Sequence, residues 1–308
     1  MINFKKYRFR KLQNMKSTPS DRDRTVCNVC DNPGTVDRAT EIAQIPSNMK
    51  RFQHQCFTVW RCKNCSSLHS QESVDLNVYY KDYFSNIGLN YFTICSYWSQ
   101  IQFLRKNGLQ KDRQILDFGC NHGSFVSFLN KLGYKGAIGY DPYVPQFSDR
   151  TVLDRQYHIV TSYDVIEHFE EPRDLFEEAV RCLEPGGLFL IGTPNAQELN
   201  LSDVHRPEFH QPYHRHILSE RALIDLGVSY GLEVVEVIDR WCFDTLFPGV
   251  NTRFIWSYVR RMGNAIDSLE DTPRIGMVFT SPLLLFYIFL GYFFPIPGNM
   301  IILFRRPS

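Results

Sequence analysis

Three groups of residues in this chain have the types and spacing to do chemistry. Cys27-x-x-Cys30 and Cys62-x-x-Cys65 supply four thiols in two knuckles. Such a set can close a tetrahedral site with no open position, which suits a structural Zn2+ rather than catalysis. A redox dithiol is the rival, but it needs only one pair beside a thioredoxin-like pattern. The second group lies in "ILDFGCNHGSF", residues 115–125, where Asp117, Gly119, Cys120, Asn121 and Gly123 follow an apolar run. The third is made of Glu167-His168 in "SYDVIEHFEEP" and Tyr213-His214 in "HRPEFHQPYHRHILS", a stretch that also holds His205, His210 and His216. A histidine or carboxylate so placed could take a proton from an acceptor.

Residues 115–125 read as a strand turning tightly into a helix. In an open parallel sheet, ligands bind where such a helix N-terminus and free backbone N–H groups point outward. A dinucleotide site would want Gly-x-Gly-x-x-Gly over a pyrophosphate. Here the glycines fall at 119 and 123, and Asp117 would repel phosphates. The carboxylate suits a cofactor with a cationic amino group. Asn121 stands where a glycine is expected, and Asn tolerates the left-handed conformation better than other non-Gly residues. The next strand, "AIGYD", ends in Asp141, placed to accept hydrogen bonds from ribose hydroxyls.

The elements that must hold these groups alternate. After "ILDFGC" come Phe125, Val126, Phe128, Leu129 and Leu132 at helical spacing, then "AIGYD", "YHIVTSYDV", and a helix with Leu175, Phe176, Ala179, Val180 and Leu183 on one face. "LFLIGTP" is a strand, and a helix capped by Ser219 leads through Gly231 into "LEVVEVID". Such alternation gives an α/β fold with a parallel sheet covered on both faces. Only about fifteen residues separate Asp141 from the next strand, so a helix and a third strand are abbreviated there, with "TVLD" as remnant. Asp149 and Asp154 stand in that gap as further acids that could meet a bound ligand.

Asp117-x-Gly119-x-Asn121-x-Gly123, Asp141, "SYDVIEHFEEP" and "LEPGGLFLIGTPN", in that order, resemble the class I S-adenosylmethionine-dependent methyltransferases over about 110–240. The resemblance implies a Rossmann-like seven-stranded sheet and S-adenosylmethionine as cofactor. Gly119 and Gly123 would line its methionine part, Asp117 would lie beneath the amino-acid moiety, and Asp141 would hold the ribose. Cys120, Asn121, Ser162 and Tyr163 complete the expected cofactor residues. The cysteine module followed by "VYYKDYF", residues 78–84, resembles the zinc-binding domain ahead of methyltransferase domains in sugar and secondary-metabolite tailoring. In related sugar methyltransferases a Tyr-His pair lies over the acceptor, and Tyr213-His214 matches by position. The expected catalytic set is thus His214, His168, Glu167 and Tyr213, with the histidine removing the acceptor's proton. The acceptor would be a small molecule, whether sugar, polyketide-like or lipid-linked. A ribosomal RNA guanine methyltransferase and an inactive zinc-ribbon interaction protein are the alternatives.

Thirty-four basic against thirty-three acidic residues in 308 give a net charge of +1, which does not favour nucleic acid as partner. The expected organisation is a basic arm at 1–24, a zinc module (a small zinc ribbon) at 25–75, a helical lead-in at 76–110, the cofactor-binding core at 111–240, an apolar helical insertion at 241–298, and a final strand at 299–308 antiparallel to "LEVVEVID". Nine cysteines without a disulfide-like framework and no apolar stretch after the N-terminal charges point to the cytoplasm. Cys56, Cys95, Cys120, Cys182 and Cys242 read as small core residues. Residues 275–304 carry no charge, but Pro282, Pro295 and Pro297 cut the run. A span needs about twenty continuous apolar residues. Residues 283–294 therefore pack internally, form a homodimer contact, or touch the inner face of a membrane peripherally.

Overall fold

The structure, a computed structural model, describes residues 27–31, 36–72, 74–75, 78–79 and 88–308. The basic arm and most of "VYYKDYF" lie outside the described residues. Six strands form the main sheet: β4 (Ile115–Phe118), β5 (Ala137–Tyr140), β6 (Tyr157–Tyr163), β7 (Leu183–Pro194), β9 (Glu233–Ile238) and β10 (Asn299–Arg305), in the order β5-β4-β6-β7-β10-β9. β5, β4, β6 and β7 are parallel, and β10 runs antiparallel to both β7 and β9. This is a Rossmann-like α/β sheet, with six strands among the described residues where the resemblance implied seven. The missing strand is the abbreviated one: "TVLD" falls in a 3-10 helix, Arg150–Asp154, capped by Asp149. Sixteen residues between two parallel strands cannot hold a helix, a strand and the turns that join them.

β4 is buried on both faces, as expected of a central parallel strand, and the layers over it follow from helical periodicity. Helix α1 (Tyr91–Lys106), capped by Asn90 with Thr93 in a reciprocal capping box, packs Ile101 and Leu104 beside Ile115. α2 (Ser124–Lys131) buries Phe125, Val126, Phe128 and Leu129 on the same side. α3 (Pro172–Cys182), opened by Pro172, and α4 (Glu220–Ser229), capped by Ser219, cover the other face with Leu175, Phe176, Ala179, Leu223 and Leu226.

A second sheet, β1 (Ile42–Pro46), β2 (Cys56–Arg61), β3 (Leu68–Ser70) and β8 (His216–Ile217), carries the cysteine module. Its last strand comes from the core, just after His214, and pairs Leu68 with Ile217 and His69 with His216. Cys95, Cys120, Cys182 and Cys242 are buried as expected, whereas Cys56 is exposed. It opens β2 where the hairpin with β1 begins, so nothing packs over it. Between β9 and β10 lie α5 (Thr252–Arg261), α6 (Ile275–Phe279) and α7 (Pro282–Leu290). No helix among the described residues is long and apolar enough to cross a membrane.

Candidate active site

The loop after β4 takes the conformation its residues permit. Gly119, Asn121 and Gly123 have φ of 78°, 50° and 70°, all left-handed, so Asn121 fills a glycine's place by the tolerance expected of it. The turn is held from the next strand: Asp141 accepts from the backbone N–H of Asn121 and of Tyr143, each at 2.9 Å. A carboxylate has about four acceptor sites, so two remain for further donors. Asp117 is buried and accepts from Thr161 Oγ1 at 2.8 Å. Burial, partly offset by that bond and reinforced by Asp141, pushes its carboxyl up to about 7. Ser162 presents a buried hydroxyl with no hydrogen-bond partner among the described residues, and the Tyr163 ring lies against Gly192, where a Cβ would meet it at 2.5 Å.

Two aromatic residues of this loop's surroundings carried no sequence signal. Phe147 lies against Gly123 and Gly139, each without room for a Cβ, and its carbonyl accepts from Asp141 N at 3.0 Å. Tyr97 of α1 sits near Asp117 and hydrogen-bonds Ser124, while burial raises its hydroxyl. Each lies at least twenty-two residues from the glycine loop, so only the fold reveals the contact.

The residues present fit S-adenosylmethionine. The left-handed turn brings backbone close to a ligand, Asp117 offers a carboxyl that a cationic amino group would ionise, Ser162 has an unsatisfied hydroxyl, and Asp141 has spare acceptor capacity. Asp149 and Asp154 have structural duties: Asp149 caps Thr151, and Asp154 pairs with Arg181 at 3.1 Å.

A histidine cluster adjoins this loop. A Cβ on Gly119 would stand 2.3 Å from Val165, two residues before Glu167, so the two loops are in contact. Glu167 is fully buried; Oε2 accepts from Thr193 at 2.9 Å, and Oε1 has no hydrogen-bond partner among the described residues. Oε1 lies 3.9 Å from His214 Nε2. His214 Nδ1 is 2.7 Å from the Glu208 carbonyl, which can only accept, so Nδ1 carries the proton and Nε2 the lone pair. The His168 ring stands edge-on to His214, centroids 4.8 Å apart. Burial lowers His168 to about 4 and His210 to about 3, and it holds His214 well below the usual imidazole range with help from its two neighbours. All three rings are neutral. Burial, and then Asp164, raise Glu167. One ligand atom each from Glu167, His168 and His214 lie within 4.8 Å of one another, a geometry that a divalent cation could also use. Tyr213 stands apart from this trio: its hydroxyl donates to the Tyr79 carbonyl at 3.0 Å and its ring stacks on His210 at 4.7 Å.

The four cysteine sulfurs also converge within 4.8 Å. Cys27–Cys65 is 3.7 Å and Cys30–Cys62 is 3.8 Å, matching the edge of about 3.8 Å in a tetrahedron with Zn–S near 2.3 Å. Behind them, Cys27 Sγ lies 3.2 Å from His69 Nε2, His69 Nδ1 lies 2.8 Å from His216 Nδ1, and His216 Nε2 donates to the Glu170 carbonyl at 3.0 Å. Arg215, between His214 and His216, is fully buried and donates to Ser70, Glu72 and Glu170.

Residues 90–237 match the model of a family described as a methyltransferase domain. This match takes in 148 of the chain's 308 residues. Over 143 residues the chain is 31% identical to a Mycolicibacterium smegmatis protein named "Probable S-adenosylmethionine-dependent methyltransferase", covering 41% of this chain and 54% of that one. Over 172 residues it is 24% identical to phosphoethanolamine N-methyltransferase 1 of Zea mays, covering 47% and 34%. The chain thus spans about half or less of these relatives' lengths. Among solved structures, phosphoethanolamine N-methyltransferase 2 of Haemonchus contortus, with phosphomonomethylethanolamine and S-adenosylhomocysteine, aligns at a TM-score of 0.47 and 15% identity over 87% of this chain and 69% of that one. The matched residues contain the glycine loop, Asp141, the Glu167–His168 loop and His214. The cysteine module lies outside the matched residues.

Proposed function

We propose that the chain transfers a methyl group from S-adenosylmethionine to a small-molecule acceptor, with His214 taking the acceptor's proton. The observation that carries this reading is the pair of Glu167 Oε1, buried and unsatisfied, and His214 Nε2, with its lone pair exposed by the Nδ1–Glu208 bond. Asp117, Gly119, Cys120, Asn121, Gly123, Ser162 and Tyr163 would hold the cofactor's amino-acid end, and Asp141 its ribose. When bound, the cofactor supplies an electrophilic methyl. The protein aligns the acceptor and accepts its proton. A buried imidazole beside a carboxyl that burial also keeps neutral is a weak base; ionisation of Glu167 would supply the charge that stabilises the protonated ring. His168 packs the imidazole in place, and Tyr213 positions the segment through His210 and Tyr79.

Zn2+ in Cys27, Cys30, Cys62 and Cys65 would be structural, closing the module that β8 joins to His214. The test is calorimetric titration of the full chain with S-adenosylmethionine, alongside transfer of labelled methyl into a cell extract. His214→Ala and Glu167→Gln should keep cofactor affinity within a few-fold and lower transfer by about two to three orders of magnitude, the scale of a lost general base. Unchanged transfer in His214→Ala would remove the histidine from the mechanism.

A further inference from the structure

The apolar insertion hangs from the edge of the sheet where the site lies. β9 and β7 are both antiparallel to β10, so they run the same way and end on the same side as β4, β5 and β6. The connection 239–298 leaves that edge at Ile238 and returns at Asn299, which pairs with Pro194. It is tied to the site: Trp241 Nε1 donates to both carboxylate oxygens of Asp164, at 3.0 and 3.2 Å, three residues before Glu167.

Helix α7 is fixed to this insertion on one side only. Leu284 is buried, Gly249 N donates to Ile288 O at 2.8 Å, and Asn251 Nδ2 donates to Tyr287 O at 3.0 Å. A surface helix of a globular protein turns a polar face to water, but "PLLLFYIFL" has none. Ile275, Phe279, Phe289 and Phe293 are 61–69% exposed, and Leu283 and Phe286 stand out beside them. Six such side chains at half exposure present on the order of 600 Å2, at or above the largest apolar patch usual for a monomer. Nine helical residues cannot cross a bilayer core about 30 Å thick, whereas they can lie in its interface.

Two guanidinium groups flank the patch: Arg253 donates to Phe294 O at 2.6 Å, and Arg274 is exposed immediately before α6; Arg240, 4.1 Å over the Tyr292 ring, is neutralised by Asp244 at 2.8 Å. Aromatic and aliphatic side chains flanked by guanidinium groups complement anionic headgroups above an acyl layer.

We propose that residues 275–294 dock on an anionic lipid bilayer and that the acceptor enters the site from the lipid–water interface, as a lipid-borne molecule. The second half rests on the methyl-transfer reading. Flotation of the full chain with vesicles of equimolar phosphatidylcholine and phosphatidylglycerol tests the first half, with pure phosphatidylcholine as comparison. The chain should float with the anionic vesicles and much less with the neutral ones. Phe279→Ser/Phe289→Ser/Phe293→Ser should lower partitioning at least tenfold while leaving S-adenosylhomocysteine affinity and circular dichroism unchanged. Undiminished flotation of the variant would overturn the docking surface. So would a wild-type chain that ignores vesicles but forms a dimer that the variant dissolves, since a second copy would then cover the patch. For the acceptor, labelled methyl should enter the chloroform-soluble fraction of a cell extract; label confined to water-soluble compounds overturns that half. Vesicle binding without S-adenosylhomocysteine binding would instead sink the methyl-transfer reading and leave the docking surface standing.

Discussion

Asn121 shows how far one residue type can be read. A single Asn in a glycine loop asks for a left-handed turn, and its φ of 50° is that turn. Asn121→Gly should therefore keep S-adenosylmethionine affinity within a few-fold. Asn121→Val places a β-branched residue in a conformation costing roughly 1–2 kcal/mol, which should weaken binding by about tenfold; calorimetry on both variants checks this, and equal affinities would contradict it. Asp117 supports a second prediction. Its carboxyl rises from 3.8 to about 7 because burial disfavours the charge. The free site is thus neutral below about 7 and ionised above it, and a cationic amino group favours the ionised form. Cofactor affinity should rise with pH through about 7 and lose that dependence in Asp117→Asn. The same shift works the other way on the unliganded fold: the unfolded chain releases this proton near 3.8 and the folded one near 7, so stability falls as pH rises through that window.

At the scale of elements, the cysteine module is not a free-standing unit. Its sheet is completed by β8, and Arg215 fastens the same segment to Ser70 and Glu72. Loss of one thiol should therefore be felt at His214, two residues before β8. Cys62→Ser, or treatment with a strong chelator, should lower the melting temperature and reduce methyl transfer while S-adenosylhomocysteine still binds, because the glycine loop is built on β4 and β5. Thermal melts and calorimetry on the same sample check this. Intact transfer after metal removal would separate the module from the site. The module's two knuckles were legible from spacing; its bond to the core was not, since a two-residue strand such as His216–Ile217 has no periodicity to detect.

The whole molecule is a sheet with different partners along one edge. The cofactor loop, the Glu167–His214 pair and the apolar insertion all lie on the side where β4, β5, β6, β7 and β9 end. Docking of that insertion on a membrane would turn the site toward lipid, and its effect should appear as an activity that depends on vesicles only for a lipid-borne acceptor. A water-soluble acceptor would be methylated equally with and without vesicles.

By itself the sequence determined the local chemistry: the alternation that makes the parallel sheet, the turn at Asn121, the acid at Asp141, the four cysteines and the charge-free tail. These depend on contacts within a few residues or on a fixed period, and both are printed in the chain. Only the tertiary structure decided that six strands suffice, that Phe147 and Tyr97 line the cofactor loop, that Glu167 meets His214 across 47 positions, and that Tyr213 faces Tyr79 rather than this pair. Those contacts come from the order in which strands pair, and pairing between distant segments is set by the packing of the whole chain, which no short stretch records.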